Sequence, residues 1–120
     1  MKTAIIALSI VLASISAAHA GSVVAFHCPK SGDVILDTGN GDNELTITHG
    51  SKHFTVTEPT ERKVVNGKIL TIQGAANAND ESEWRAVGIP NDWERTGKLY
   101  LIRSDRKGFE DCMTTDAQSY

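Results

Sequence analysis

Helical periodicity, cysteine and catalytic motifs are scarce or absent in this 120-residue sequence. Beyond the first twenty residues, no segment carries apolar residues at helical spacing over three turns, which argues against an α-helical fold. Only two cysteines occur, and neither belongs to a Cys-x-x-Cys motif, so a redox role is not favoured. Serine, histidine and aspartate are present, but no nucleophile elbow frames them. The sequence therefore does not predict an enzyme.

Positive charge is also in deficit. The chain has 12 Lys and Arg against 15 Asp and Glu. Lys2 is the only charged residue of the first twenty, so residues 21–120 carry 11 basic and 15 acidic residues and a net charge of −4, with histidine neutral. An acidic surface argues against binding to nucleic acid or to an anionic membrane, and it suits a basic partner.

The first twenty residues have the pattern of a secretory signal peptide. Lys2 precedes an apolar segment, residues 4–17, and Ala18-His19-Ala20 matches an A-x-A cleavage site. The apolar segment is too short for a transmembrane anchor, and no cysteine follows it directly to accept a lipid. We therefore expect an exported protein, periplasmic or secreted, in which residues 21–120 form one domain.

The two cysteines, Cys28 and Cys112, lie near the two ends of that domain. In an exported chain, two cysteines most simply form one disulfide. An intermolecular bridge and a reactive thiol pair are the alternatives. Closing so long a loop would stabilise the fold by about 4 kcal/mol in the chain-entropy model.

Between the cysteines, apolar and polar residues alternate with the period of β-strands. The pattern predicts about eight short strands at the spacing typical of all-β barrels and sandwiches. Asn66-Gly67, between two β-branched segments, predicts a tight hairpin. We expect a small antiparallel β-barrel, closed by one disulfide if its first and last strands are neighbours. The polar tail, residues 114–120, is expected to be loose.

Two groups of residues could bind metal ions, but simpler explanations exist for both, and we predict neither a metal nor a cofactor. His27, His49 and His53 could form a zinc site if His49 and His53 face each other across a hairpin. Their positions also suit ordinary surface and turn-flanking histidines. The second group is an acidic loop that lacks the EF-hand spacing and that a hairpin connection explains: Asp37, Asn40, Asp42 and Glu44.

The polar segment from Gly74 to Glu83 is predicted to be a loop longer than a hairpin needs, and such loops are often functional. Its acidic end could contact a basic cleft, and Trp84 or Trp93 could serve as an aromatic anchor. A mobile loop with Trp84 in the core is the alternative. The predicted contact residues in this segment are Asp80, Glu81, Ser82, Glu83 and Trp84.

Several local features resemble the small bacterial inhibitors of C-type lysozyme. These features are Phe26-His27-Cys28, the hairpin strands at 44–49 and 53–57, the Asn66-Gly67 turn, the strand-to-glycine element at 71–74, and Cys112 after a basic stretch. The resemblance implies a small antiparallel β-barrel whose terminal regions are joined by a disulfide. Without a lipid-acceptor cysteine, it implies the periplasmic form of the family.

The inhibitory motif of that family, Ser-Gly-x-x-Tyr, is not matched. The corresponding segment retains only a hydroxyl group, and residues 79–97 have no counterpart in the shorter members. By position, the resemblance implies that the partner-binding residues are Thr60, Glu61, Arg62, Lys63 and Val64.

We therefore expect an exported protein-binding barrel that inhibits a C-type lysozyme. A loop, either residues 60–64 or residues 74–84, would enter the basic substrate cleft. The alternative is an exported binding module for a small ligand, a metal or an envelope component, and the altered motif favours this alternative.

Overall fold

The computed structural model describes residues 21–39 and 44–119. The expected signal peptide, residues 1–20, lies outside the described residues. Within them, ten strands and one short helix occur in the order β1 Ser22–Cys28, β2 Gly32–Asp37, β3 Thr46–His49, β4 Lys52–Phe54, β5 Val56–Thr57, β6 Glu61–Val65, β7 Lys68–Asn77, β8 Asp80–Pro90, α1 Trp93–Thr96, β9 Lys98–Arg103 and β10 Glu110–Ser119.

The strands form one antiparallel sheet that curls into a nearly closed barrel. The order across the sheet is β4-β3-β2-β1-β10-β9-β8-β7-β5, with β6 also paired to β7. The outermost strands, β4 and β5, are consecutive in the chain. The Thr55 N–H between them donates to the Ala76 carbonyl over 3.0 Å. The sheet thus returns onto itself through residues 52–57, and the predicted fold class is confirmed with ten strands instead of about eight.

The first and last strands are neighbours, as the barrel prediction required. β1 pairs with β10 from Ser22 opposite Ser119 to His27 opposite Met113. Just beyond this ladder, Cys28 and Cys112 form a buried disulfide with a Cα–Cα distance of 4.3 Å. The expectation of a loose tail is wrong for residues 114–119, because β1 supplies backbone partners along this polar segment.

The barrel interior is filled by alternate residues of the strands. Phe26, Ile47 and Phe54 pack there with the disulfide, and Leu99 and Leu101 of β9 complete one wall. Each of these side chains is essentially inaccessible to solvent. The neighbouring residues along each strand point outward, as the two-residue period of a strand requires.

Two hairpins differ in how well the sequence predicted them. The β6–β7 turn is confirmed, since Asn66 and Gly67 both have positive φ, 51° and 80°. The long loop predicted from Gly74 to Glu83 is wrong. β7 continues to Asn77, and β8 begins at Asp80 after a two-residue turn.

Tertiary pairing explains why the small residues at 74–76 form a strand despite weak β-propensity. Val56 and Thr57 of β5 pair with Ala76 and Ala75 on one side, and β8 pairs on the other. The β7–β8 ladder then passes from Ala76–Trp84 directly to Asn77–Asp80, so residues 81–83 form a bulge in β8. We call Asp80–Glu83 the acidic bulge.

Candidate functional site

The outward face of β7, β8 and β9 carries an apolar groove of about 320 Å³, which we call the outer groove. Gly74, Ala86 and Ile102 lie side by side across the three strands and form its floor. Their chain neighbours Ala75, Val87 and Leu101 point into the core. This part of the sheet is therefore apolar on both faces.

Glycine keeps the floor of the groove low. A Cβ at Gly74 would lie 3.2 Å from the Ala86 Cβ and 3.2 Å from the Arg85 carbonyl oxygen. A side chain at this position would displace its neighbours, so the shape of the groove depends on Gly74.

Two aromatic side chains flank the groove. Phe109 is 39% exposed and packs edge-on against Tyr100, with 6.2 Å between ring centroids. Trp84 lies on the outward face, half-buried, and its backbone N–H and carbonyl bond to Ser104. Trp84 is thus not a core residue, contrary to the alternative placement. Trp93 instead packs against the core, and its Nε1 donates to Thr114 Oγ1. Trp93 does not line the outer groove.

Acidic side chains dominate the polar edge of the groove. Glu58 and Glu61 line it beside β6, and Glu81 lines it from the acidic bulge. All three are exposed, and Lys63 is the exposed basic side chain among the lining residues. The groove edge therefore favours a ligand whose positively charged group lies near these carboxylates while its apolar part contacts the floor.

The acidic bulge is held in shape by its own hydrogen bonds. Asp80 Oδ1 accepts from the Ser82 hydroxyl over 2.6 Å and from the Ser82 N–H over 3.1 Å. The hydroxyl bond is the main cause that lowers the pKa of Asp80. Glu83 accepts from Lys52 Nζ over 2.6 Å and from Asn77 Nδ2 over 3.0 Å, and these bonds lower its pKa. Both carboxyl groups consequently stay ionised near neutral pH.

The structure brings together only part of the predicted contact set. Four of the ten residues, separated by up to 23 positions, line the outer groove: Glu61, Lys63, Glu81 and Trp84. Asp80, Ser82 and Glu83 lie in the acidic bulge beside it. Thr60 is exposed in the connection before β6.

The interpretation of residues 60–64 as a loop is wrong, because residues 61–65 form strand β6. Strand alternation places Arg62 and Val64 on the face opposite Glu61 and Lys63, away from the outer groove. The strand forms because the Asn66-Gly67 turn returns the chain antiparallel, so that Val65 faces Lys68 and the ladder continues to Glu61.

Sequence reasoning missed Ile102, Phe109 and the small floor residues. A signal was present in β9, where Leu99, Tyr100, Leu101 and Ile102 are apolar without alternation. A strand with two apolar faces is covered on both sides or forms a binding surface.

Arg85 was also missed, and it supports the groove from inside the barrel. Its side chain is 1% exposed, and its guanidinium carbon lies 4.6 Å from the ring centroid of Phe54. Nη1 donates to the Trp84 carbonyl over 2.9 Å, and Nε donates to His49 Nδ1 over 3.0 Å. Burial is the main cause that lowers the pKa of Arg85, and Glu83, 3.9 Å from Nη2, opposes the shift.

The histidines are not gathered into one site. His27 bonds to Asp33 on the surface, and His49 bonds to Arg85 and to the Ser31 carbonyl. His53 lies opposite Thr48, so the expected facing of His49 and His53 is wrong.

In residues 21–39 and 44–119, no cluster of three His, Cys, Asp or Glu side chains is placed to hold a metal ion. Part of the acidic loop weighed for calcium, residues 40–43, lies outside the described residues.

Comparison with known proteins adds no relative. No protein-family model, curated protein or solved structure matches the chain. Across the described part of the chain, no helix has the length and apolar character needed to cross a membrane.

Proposed function

We propose that this chain is an exported binding protein that engages a basic protein partner through the outer groove and the acidic bulge. The observation that carries the proposal is convergence. Carboxylates from two distant segments, Glu61 and Glu81, meet at the edge of an apolar groove flanked by Trp84 and Phe109. Aromatic anchors with complementary charge around them are typical of protein-binding surfaces.

A C-type lysozyme is the partner that we propose. The barrel and its terminal disulfide agree with the architecture that the sequence resemblance implies, and the acidic edge complements a basic substrate cleft. Acidic charge would also accelerate association with a basic enzyme. In this chain, residues of the outer groove and the acidic bulge would contact lysozyme in place of the missing Ser-Gly-x-x-Tyr motif.

The proposed mechanism is occlusion by a hairpin end and not by a long loop. Asp80 and Glu81 project from the β7–β8 hairpin, where the Asn77 side chain accepts from the Asn79 N–H over 2.9 Å. Since Ser82 also holds Asp80, little conformational freedom remains to be lost on binding. We propose binding without catalysis, because the carboxylates at the groove are exposed and lack the enclosed environment of an acid–base pair.

A lysis assay tests the lysozyme proposal. Residues 21–120 should inhibit a C-type lysozyme at micromolar concentration and co-elute with it on gel filtration. Trp84→Ala and Glu81→Gln should each weaken inhibition, the former by about tenfold or more as expected for an aromatic anchor. Asp116→Asn, on the distant strand β10, is the matched control and should leave inhibition unchanged. Neither inhibition nor a complex at these concentrations would exclude lysozyme as the partner.

The outer groove itself favours a second candidate, an exported binding module for a small apolar ligand. Its volume of about 320 Å³ is at the lower end of ligand-pocket sizes. A thermal-shift screen separates the two functions, because a ligand that binds the folded state raises the melting temperature in the absence of lysozyme. Gly74→Val should abolish that shift by filling the floor.

A further inference from the structure

Strand β6 has one edge that no other described strand covers. It pairs with β7 along its whole length, and within residues 21–39 and 44–119 it has no second partner. In a two-residue hairpin, the residues that flank the turn, here Val65 and Lys68, exchange hydrogen bonds, and bonded pairs alternate from there. Lys63 and Glu61 therefore bond to β7, whereas the N–H and C=O groups of Arg62 and Val64 point away from the barrel.

Along this edge an exposed apolar side chain, Val64, follows two basic side chains, Arg62 and Lys63. Val64 is 72% exposed, and its cross-strand neighbour Ile69 is 44% exposed, so the two form an apolar pair on the surface. Arg62 and Lys63 are exposed, and no described residue forms an ion pair with either of them. Charged side chains usually protect free edge strands from pairing with other chains. In β6 the two central charges, those of Arg62 and Lys63, are both positive.

We propose that β6 is a docking edge for an extended acidic segment of a partner protein, which adds as an antiparallel strand. Its backbone bonds to the outward groups of Arg62 and Val64. Antiparallel alignment sets the sequence of the segment: an apolar residue beside Val64, then an acidic residue beside Lys63, then a second acidic residue beside Arg62. Backbone bonds supply affinity, and alternate side chains supply specificity.

This surface shares only Lys63 with the lining of the outer groove. Arg62 and Val64 project from the other face of β6, and the required partner is acidic, whereas the groove edge is acidic itself. A second copy of the chain fits less well. In the antiparallel register that pairs Arg62 with Arg62 of a second copy, Lys63 meets Glu61, but the two guanidinium groups lie directly opposite each other and repel. In the registers that pair Arg62 with Val64 or Asn66, Arg62 meets no carboxylate.

A short synthetic peptide with the central sequence Val-Glu-Glu is the probe, labelled for fluorescence anisotropy against residues 21–120. We expect saturable binding, with amide chemical-shift changes at Arg62 and Val64. Val64→Pro removes an outward N–H but no bond to β7, and it should weaken binding about fivefold, since one backbone bond contributes roughly 1 kcal/mol and about 1.4 kcal/mol corresponds to tenfold. Val64→Thr keeps the N–H and is the matched control.

Two further measurements avoid dependence on folding of the proline variant. A peptide methylated at its hydrogen-bonding nitrogens should lose affinity for the unchanged protein. The double variant Arg62→Glu/Lys63→Glu should reject Val-Glu-Glu and accept Val-Lys-Lys. Equal binding to the wild-type protein and Val64→Pro, or no binding at millimolar peptide, overturns the proposal. A concentration-dependent dimer that Val64→Pro abolishes assigns the edge to a second copy and also overturns it.

Discussion

Arg85 Nε donates a hydrogen bond to His49 Nδ1 over 3.0 Å, which joins β8 to β3 across the barrel interior. Because Nδ1 accepts this bond, His49 carries its proton on Nε2 and donates to the Ser31 carbonyl over 2.8 Å. Arg85 also holds the carbonyl of Trp84. Through His49, the buried Arg85 side chain thus connects Ser31, in the turn after β1, to Trp84, which flanks the outer groove.

Removal of Arg85 tests this linkage. Arg85→Ala leaves His49 Nδ1 without a donor, removes one of the two donors to the Trp84 carbonyl and opens a cavity beside Phe54. The free energy of unfolding should therefore fall by about 3 kcal/mol or more. Urea denaturation followed by tryptophan fluorescence measures it. Arg95→Ala, in an exposed i,i+3 pair with Asp92, is the control and should change stability by roughly 0.5 kcal/mol or less. Equal effects of the two substitutions would contradict the role of Arg85.

The disulfide yields a second prediction. Cys28 and Cys112 are 84 positions apart, so the bridge restricts most of the unfolded chain. The double variant Cys28→Ala/Cys112→Ala should lose about 4 kcal/mol of unfolding free energy in the chain-entropy model. Denaturant titrations with and without reductant measure the loss. Reductant should destabilise the wild-type protein and leave the double variant unaffected, and a wild-type protein insensitive to reductant would show that the bridge does not stabilise it.

Glu110 predicts the pH dependence of stability. Burial opposes ionisation of this carboxyl, but bonds from the Ser31 hydroxyl and from the N–H groups of Lys30 and Ser31 hold its pKa below the ordinary value of 4.5. A lowered folded-state pKa stabilises the protein above about pH 4.5, and this stabilisation is lost as the pH falls through the folded-state pKa. Glu110→Gln should therefore flatten the loss of stability below that pH.

The measurement is the urea midpoint at a series of pH values between neutral and acidic. Glu94→Gln, exposed on α1, is the matched control and should keep the wild-type pH profile. If Glu110→Gln and the wild-type protein lose stability in parallel on acidification, the carboxylate cap on the turn after β1 does not contribute as proposed.

Strand alternation predicted much of the fold from the sequence. The all-β class follows from this alternation, and Asn66-Gly67 forms the turn that its composition predicts. The failures share one cause. Gly74, Ala75 and Ala76 have weak strand propensity, and residues 114–119 lack an apolar face, so neither segment carries the pattern on which the prediction relies.

The candidate site was predictable only in pieces. Glu61, Lys63, Glu81 and Trp84 were identified on separate segments and as parts of loops. Nothing in their spacing indicates that they share one groove, because the ladders that β7 forms with β6 and with β8 bring them together. Phe109 lies in the connection just before β10 and reaches the same groove, which no local pattern specifies.

The sequence by itself determined the all-β class, the tight β6–β7 turn and the acidic balance, because these depend on local alternation, on residues that accept positive φ and on composition. Only the tertiary structure decided that β1 and β10 bring Cys28 to Cys112, and that residues 74–77, 80–83 and 114–119 lie in strands. It also decided that no second strand among the described residues covers the outer edge of β6. The physical reason is that a neighbouring strand can pair the backbone N–H and C=O groups of a segment whatever side chains the segment carries. Which strands become neighbours is set by the closure of the barrel.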